Sequence, residues 1–161
     1  MVNTNALYRI ADAAEEAGNH EFALQSYERG AALGDAFCVF RLAHMYDVGE
    51  LGVAPDKVRA MQLYRRAWRK GCPGAASNIA ILYRERGNRR AMFQWFKREA
   101  DKDDGSAHLD LAKCYLEGTG VRKCVQTALR CLATAMASEY ISEFEREEAQ
   151  SIMKTLRPRA M

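Results

Sequence analysis

Five cysteines and three histidines are the residues of this chain best suited to bind a metal or act as nucleophiles, and their spacing argues against both uses. The cysteines stand singly at positions 38, 72, 114, 124 and 131. Cys114, Cys124 and Cys131, joined by His108, would offer four soft ligands, but their intervals match no zinc ribbon or finger. His20, His44 and His108 are scattered along the chain. There is no Gly-x-x-x-x-Gly-Lys loop, no His-Glu-x-x-His and no Gly-x-Ser-x-Gly. Gly118-x-Gly120 lacks the preceding strand that a dinucleotide site requires. An odd number of single thiols fits buried packing residues in a reducing compartment better than a disulfide framework. These residues imply no catalytic group, no metal and no cofactor.

The other side chains that could do chemistry are cationic, and they are concentrated. Residues 1–56 carry a net charge of −6, residues 57–98 a net of +11 with Glu85 as the single acid, and residues 99–161 a net of −2. The overall +3 hides a basic middle between acidic ends. Arg65, Arg66 and Arg69 fall in one segment, Arg84, Arg86, Arg89 and Arg90 cluster in another, and Trp68 and Trp95 lie among them. Three readings compete. The cations form a solvated face, they steer an acidic protein partner, or they hold phosphates while the tryptophans stack on bases.

The elements that must position these residues repeat. Leu42-Ala43-His44-Met45-Tyr46 returns as Ile79-Ala80-Ile81-Leu82-Tyr83 and Leu111-Ala112-Lys113-Cys114-Tyr115, after a weaker copy, Ile10-Ala11-Asp12-Ala13-Ala14, with offsets of 32, 37 and 32 residues. A second motif follows each copy: Ala23-x3-Tyr27, Ala60-x3-Tyr64, Met92-x3-Phe96 and Ala128-x3-Leu132. Periods of this length indicate stacked helix pairs, with small residues at the crossings and tyrosines beside them. Gly49 to Pro55-Asp56 reads as a long turn that ends one helix and starts the next, and Gly118 to Cys124 as another. Ala17-Gly18-Asn19-His20 and Arg86-Gly87-Asn88-Arg89 read as short turns. The expected repeats are about 5–36, 37–74, 75–105 and 106–138, in a single domain over 1–161. A closing helix at about 139–157 shields the last pair through Tyr140, Ile141, Phe144, Ala149, Ile152, Met153 and Leu156.

These motifs resemble the Sel-1-like repeat (SLR) family, a relative of the tetratricopeptide repeats. The family pattern is Leu-Gly/Ala-x2-Tyr, then Gly-x-Gly-Val-x2-Asp-x2-Lys-Ala, then Trp-Tyr-x2-Ala-Ala. Repeat two matches nearly throughout, with Arg59 in place of lysine. Repeat four keeps Gly118-x-Gly120-Val121 but has Cys124 for aspartate and Thr127 for lysine. Repeat three keeps Trp95-Phe96 and Ala100. The resemblance covers roughly residues 5–138. It implies an all-α, right-handed α-solenoid of helix-turn-helix repeats, without generic catalytic residues, that binds proteins or peptides, often as an adaptor.

In related solenoids the first helix of each pair lines a concave groove. That places Tyr8, Asp12 and Glu15 there, then Phe40, His44 and Asp47, then Ser77, Ile81 and Arg84, then Leu109, Lys113 and Leu116. Tyr8, Phe40, Ile81 and Leu109 are equally readable as helix-packing residues. The resemblance and the small net charge weigh against nucleic acid. The expected function is a non-enzymatic interaction module recognising a protein of acidic or mixed surface. The alternative is a bacterial immunity-type protein that neutralises a toxin or enzyme by direct binding. With no signal-peptide pattern and no run of ~18 apolar residues, the expected protein is a soluble, cytoplasmic monomer that does not engage a membrane.

Overall fold

The computed structural model describes residues 4–72, 74–102 and 104–156, and among these described residues there are nine helices and no strand. The opening Met1-Val2-Asn3 and Arg157, the last residue of the expected closing helix, lie outside the described residues. The helices are α1 (Thr4–Glu16), α2 (His20–Ala32), α3 (Ala36–Val48), α4 (Lys57–Arg69), α5 (Ala75–Glu85), α6 (Arg89–Ala100), α7 (Gly105–Glu117), α8 (Val125–Ala137) and α9 (Glu143–Leu156). Four pairs and a closing helix were expected from the period, and this order matches. The chain falls into two compact units, Met1–Ile79 and Ala80–Met161, so that the division lies within α5.

Local chemistry sets the helix ends. Asn19, Asp35, Asp56, Asn88 and Asp104 precede α2, α3, α4, α6 and α7, and each side-chain oxygen accepts a backbone N–H of the first turn at 2.8–3.3 Å. Such caps satisfy donors that have no partner within the helix. Gly49 closes α3 in the left-handed conformation at φ 83°, a region open to glycine without penalty. Pro55 does not open α4 as its fixed φ suggested; it precedes the Asp56 cap and packs against Gly49.

In the first unit α1 packs on α2 and α3, α2 on α3, and α3 on α4. Its core joins Ala11, Ala23, Tyr27, Cys38, Val39, Met45, Ala67 and Cys72, all essentially without solvent contact. Ala43 and Ala60 are fully buried, as the small-facing-large pattern required, and Tyr64 fills space beside them. Tyr46 is only half-buried, because its ring lies under the Arg59 guanidinium at 4.1 Å rather than in the core.

In the second unit α6 packs on α7, α7 on α8, and α9 on both α7 and α8. Ala80, Met92, Phe93, Phe96, Leu111 and Cys114 form one buried cluster, and Leu109, Ala112, Ala128, Leu132, Ala135 and Ala149 form another. The Phe93 and Tyr115 rings meet edge to face at 5.5 Å. The closing helix starts later than the apolar spacing suggested. Residues 138–142 are irregular, and Tyr140 and Phe144 are 73% and 77% exposed instead of buried. The start is set by a capping box: Ser142 Oγ accepts from the Glu145 N–H at 3.3 Å, while the Glu145 carboxylate accepts from the Ser142 N–H at 3.0 Å.

Candidate functional site

In the first unit, α1 carries Tyr8, Asp12 and Glu15 and α3 carries Phe40, His44 and Asp47, each set on one helical face. Glu15 and His44 meet through a residue that spacing did not single out, Arg41. Its Nε donates to Glu15 Oε2 at 3.2 Å and its Nη2 pairs with Glu15 Oε1. Its Nη1 donates to Glu50 Oε2 at 2.6 Å and lies 3.0 Å from His44 Nδ1. The Tyr27 hydroxyl donates to Glu15 at 3.0 Å. A single arginine near four acids in an acidic segment is the signal that could have found this network.

Other groove candidates of this unit make contacts within the fold. Asp47 is buried and accepts from Tyr64 Oη at 3.2 Å and from Lys57 Nζ at 2.5 Å. The Phe40 ring meets Tyr64 at a tilt with centroids 5.6 Å apart, and Tyr8 lies between Tyr27 and Phe37 at 5.9 and 5.7 Å. Ser77 is half-buried on α5. On α4, Arg65 and Arg69 are exposed, whereas Arg66 donates to the Ala31 carbonyl at 2.6 Å. Trp68 is half-buried against the core.

The second unit contains a cleft of about 400 Å³. Arg84 from the end of α5 and Gly87 from the turn form one side. Arg89, Met92 and Phe96 come from successive turns of α6. Asp110, Lys113, Cys114 and Glu117 come from α7, and Thr119 from the turn beyond it. Three expected residues, Arg84, Arg89 and Lys113, are thus brought together. Leu109 is not among them: it is buried against Ala112, Ala128 and Leu132. Leu116 is half-buried on the same core cluster, and Ile81 is half-buried on α5. Arg86 and Arg90 are exposed beside Arg84 and Arg89.

The electrostatics of the cleft are mixed. Lys113 Nζ pairs with Glu148 on α9 at 2.8 Å. Burial pushes the Asp110 carboxyl up to about 6 despite the nearby Lys113 and Arg84 cations, with Glu145 and Glu148 adding to the rise. Burial also pushes the Cys114 thiol up to about 11, so it is protonated and a poor nucleophile at neutral pH. Among the described residues, no group of three or more His, Cys, Asp or Glu side chains is placed to hold a metal ion. No described helix is long and apolar enough to cross a membrane. The cleft is thus lined by the guanidinium groups of Arg84 and Arg89 together with the apolar side chains of Met92 and Phe96.

Residues 36–72 and 105–135 each match the Sel1 repeat. The chain contains two Sel1-like repeats. It is similar to a protective antigen of uropathogenic Escherichia coli strains that displays an SLR fold, with 22% identity and a TM-score of 0.73 over 95% of this chain and 42% of that one. It is also similar to a Sel1 repeat protein from Oxalobacter formigenes, with 25% identity and a TM-score of 0.72 over 81% of this chain and 54% of that one. The chain therefore spans about half the length, or less, of these two proteins. No curated protein is significantly similar in sequence.

The two matched Sel1 repeats are α3 with α4 and α7 with α8, the pairs joined by long turns. The pairs with short turns, α1 with α2 and α5 with α6, lie outside the matched residues, and the cleft sits where the second of these meets α7. Sel1 repeats generally mediate protein–protein interaction, and Sel1 repeat proteins are typically non-enzymatic scaffolds.

Proposed function

We propose that this protein is a non-enzymatic recognition module whose partner is a protein of acidic or mixed surface, engaged at the α5–α6 turn. The observation that carries this reading is the exposure of Arg84, Arg86, Arg89 and Arg90 around a single turn, in a stretch where Glu85 is the only acid between residues 57 and 98. Exposed like charges raise the encounter rate with an oppositely charged surface. The half-buried positions of Trp68 and Trp95, the latter under the Arg98 guanidinium at 4.5 Å, favour a protein partner over stacked bases. Five free thiols favour action in the reducing cytoplasm.

The test is affinity capture followed by binding kinetics at low and physiological salt. Reversing Arg86, Arg89 and Arg90 to glutamate should slow association about tenfold at low salt with little change in stability. An unchanged association rate would leave the cations as a solvated face. Several captured proteins would mark an adaptor, whereas a single one bound with very slow release would mark an immunity-type neutraliser.

A further inference from the structure

We propose that the cleft of the second unit is a seat for a peptide segment in which an acidic side chain stands beside an apolar one, and that Asp110 makes this seat tighten as the pH falls below neutral. The proposal rests on the reading of the α5–α6 turn as a recognition surface, and it names the ligand and its control.

Size comes first. About 400 Å³ lies within the range of pockets that enclose small ligands, and it is ample for two side chains of a peptide. The wall chemistry then selects which two. The guanidinium groups of Arg84 and Arg89 form no ion pair or hydrogen bond among the described residues, and both line the cleft. A planar guanidinium matches a carboxylate with two parallel hydrogen bonds. Lys113, the other cation, is already held by Glu148. Met92 and Phe96 also line the cleft with a flexible thioether and a ring, which suit an aliphatic side chain. An acidic residue with an apolar neighbour satisfies both halves.

Asp110 supplies the control. Facing it are Lys113 and Cys114 from its own helix, Arg84 from α5, and Glu145 and Glu148 from α9, while Arg89 from α6 and Glu117 from α7 line the same cleft. While ionised, Asp110 repels an incoming carboxylate and competes with it for Arg84. Once protonated, it no longer repels and its O–H can donate to the ligand. Because its burial brings this change to about pH 6 rather than below 4, the switch lies in an accessible range. Thermodynamic reciprocity requires the ligand to raise the Asp110 midpoint further.

The test uses the peptide Glu-Leu-Glu-Glu-Leu-NH2 carrying tetramethylrhodamine on its N-terminal amine, a dye that does not titrate in this range, mixed with the full chain and read by fluorescence anisotropy between pH 5.5 and 7.5 at constant ionic strength. Affinity should rise about three- to tenfold on going to pH 5.5. Asp110→Asn should bind at pH 7.5 as tightly as the parent does at pH 5.5, with no pH dependence. Arg84→Gln or Arg89→Gln should weaken binding about tenfold at both pH values. A second readout is the carboxyl carbon shift of Asp110 by nuclear magnetic resonance, whose midpoint should move upward when peptide saturates the chain. No peptide binding up to millimolar concentration, pH-independent binding, or an unmoved Asp110 midpoint would each overturn the proposal. If the Arg86, Arg89 and Arg90 reversal still slowed a captured partner, recognition at the turn would stand and only the cleft would fall. If that reversal had no effect while the peptide still titrated with Asp110, the seat would stand and the wider reading would fall.

Discussion

Arg41 on α3 grips the carboxylate of Glu15 near the end of α1 through two of its nitrogens, and with a third it holds Glu50 beyond the end of α3. The pair is largely shielded, with side-chain exposures of 19% and 24%. Replacing Arg41 by Met should therefore cost about 2–4 kcal/mol, since the shielded Glu15 would lose its cationic partner. Glu15→Gln should cost less, about 1–2 kcal/mol, because the amide oxygen can still accept from Arg41 and Tyr27. Burial would raise the Glu50 carboxyl, but Arg41 more than offsets this and holds it below its usual value of 4.5. Its contribution is thus present above that value and fades as the pH falls through the depressed one. Urea unfolding from pH 3 to 7 should show this acid loss in the parent and a smaller one in Arg41→Met.

Ala43→Leu and Ala60→Leu should each destabilise the first unit by about 1–3 kcal/mol, because both positions are fully buried at helix crossings and have no room for three further carbons. Arg89→Ala, at the exposed start of α6, should stay within about 0.5 kcal/mol of the parent. Thermal melts that ranked them the other way would overturn the packing assignment.

Gly120 and Gly52 separate crowding from backbone strain. Both have positive φ, 74° and 79°, but a Cβ on Gly120 would strike the Arg89 carbonyl oxygen, whereas nothing lies within 4 Å of one on Gly52. Gly52→Ala should cost about 1 kcal/mol for its conformation alone. Gly120→Ala should cost about 3 kcal/mol or more, adding the backbone shift to the strain. Equal costs in denaturant unfolding would mean that the turn yields without penalty.

Asp110→Asn should stabilise the chain at neutral pH. Burial raises this carboxyl in the folded state, so folding is favoured by its proton below the unfolded value of 3.8 and that advantage is lost as the pH rises through about 6. Allowing for solvent screening, the gain of the amide over the carboxylate at pH 7.5 should be about 1–2 kcal/mol, vanishing near pH 4. Calorimetric melting at the two pH values checks the sign as well as the size.

The helices were legible because their signal recurs: the Leu-Ala-x2-Tyr anchor, capping Asp and Asn residues and turn glycines all speak through local chemistry. The faces were less legible. Counting from the anchor put Leu109 in a groove, yet one residue is about 100° of helix. Leu109 therefore lies in the core while its neighbour Asp110 lines the cleft. Arg41 and Glu15 are 26 residues apart, so no local pattern links them. Tyr140 and Phe144 have helical spacing, but the Ser142 and Glu145 box starts the helix between them, and both rings remain outside.

The buried alanines have a consequence for how such a protein can change. Ala43, Ala60, Ala80, Ala112 and Ala128 set the helix spacing with a methyl group each and touch no solvent, whereas Arg84, Arg86, Arg89 and Arg90 are exposed. Architecture and surface lettering are thereby written in separate alphabets. An engineer could exchange the exposed arginines for a different set and redirect the protein to another target while its melting behaviour stayed nearly constant, and the same separation lets mutational drift explore new partners without first passing through unfolded sequences.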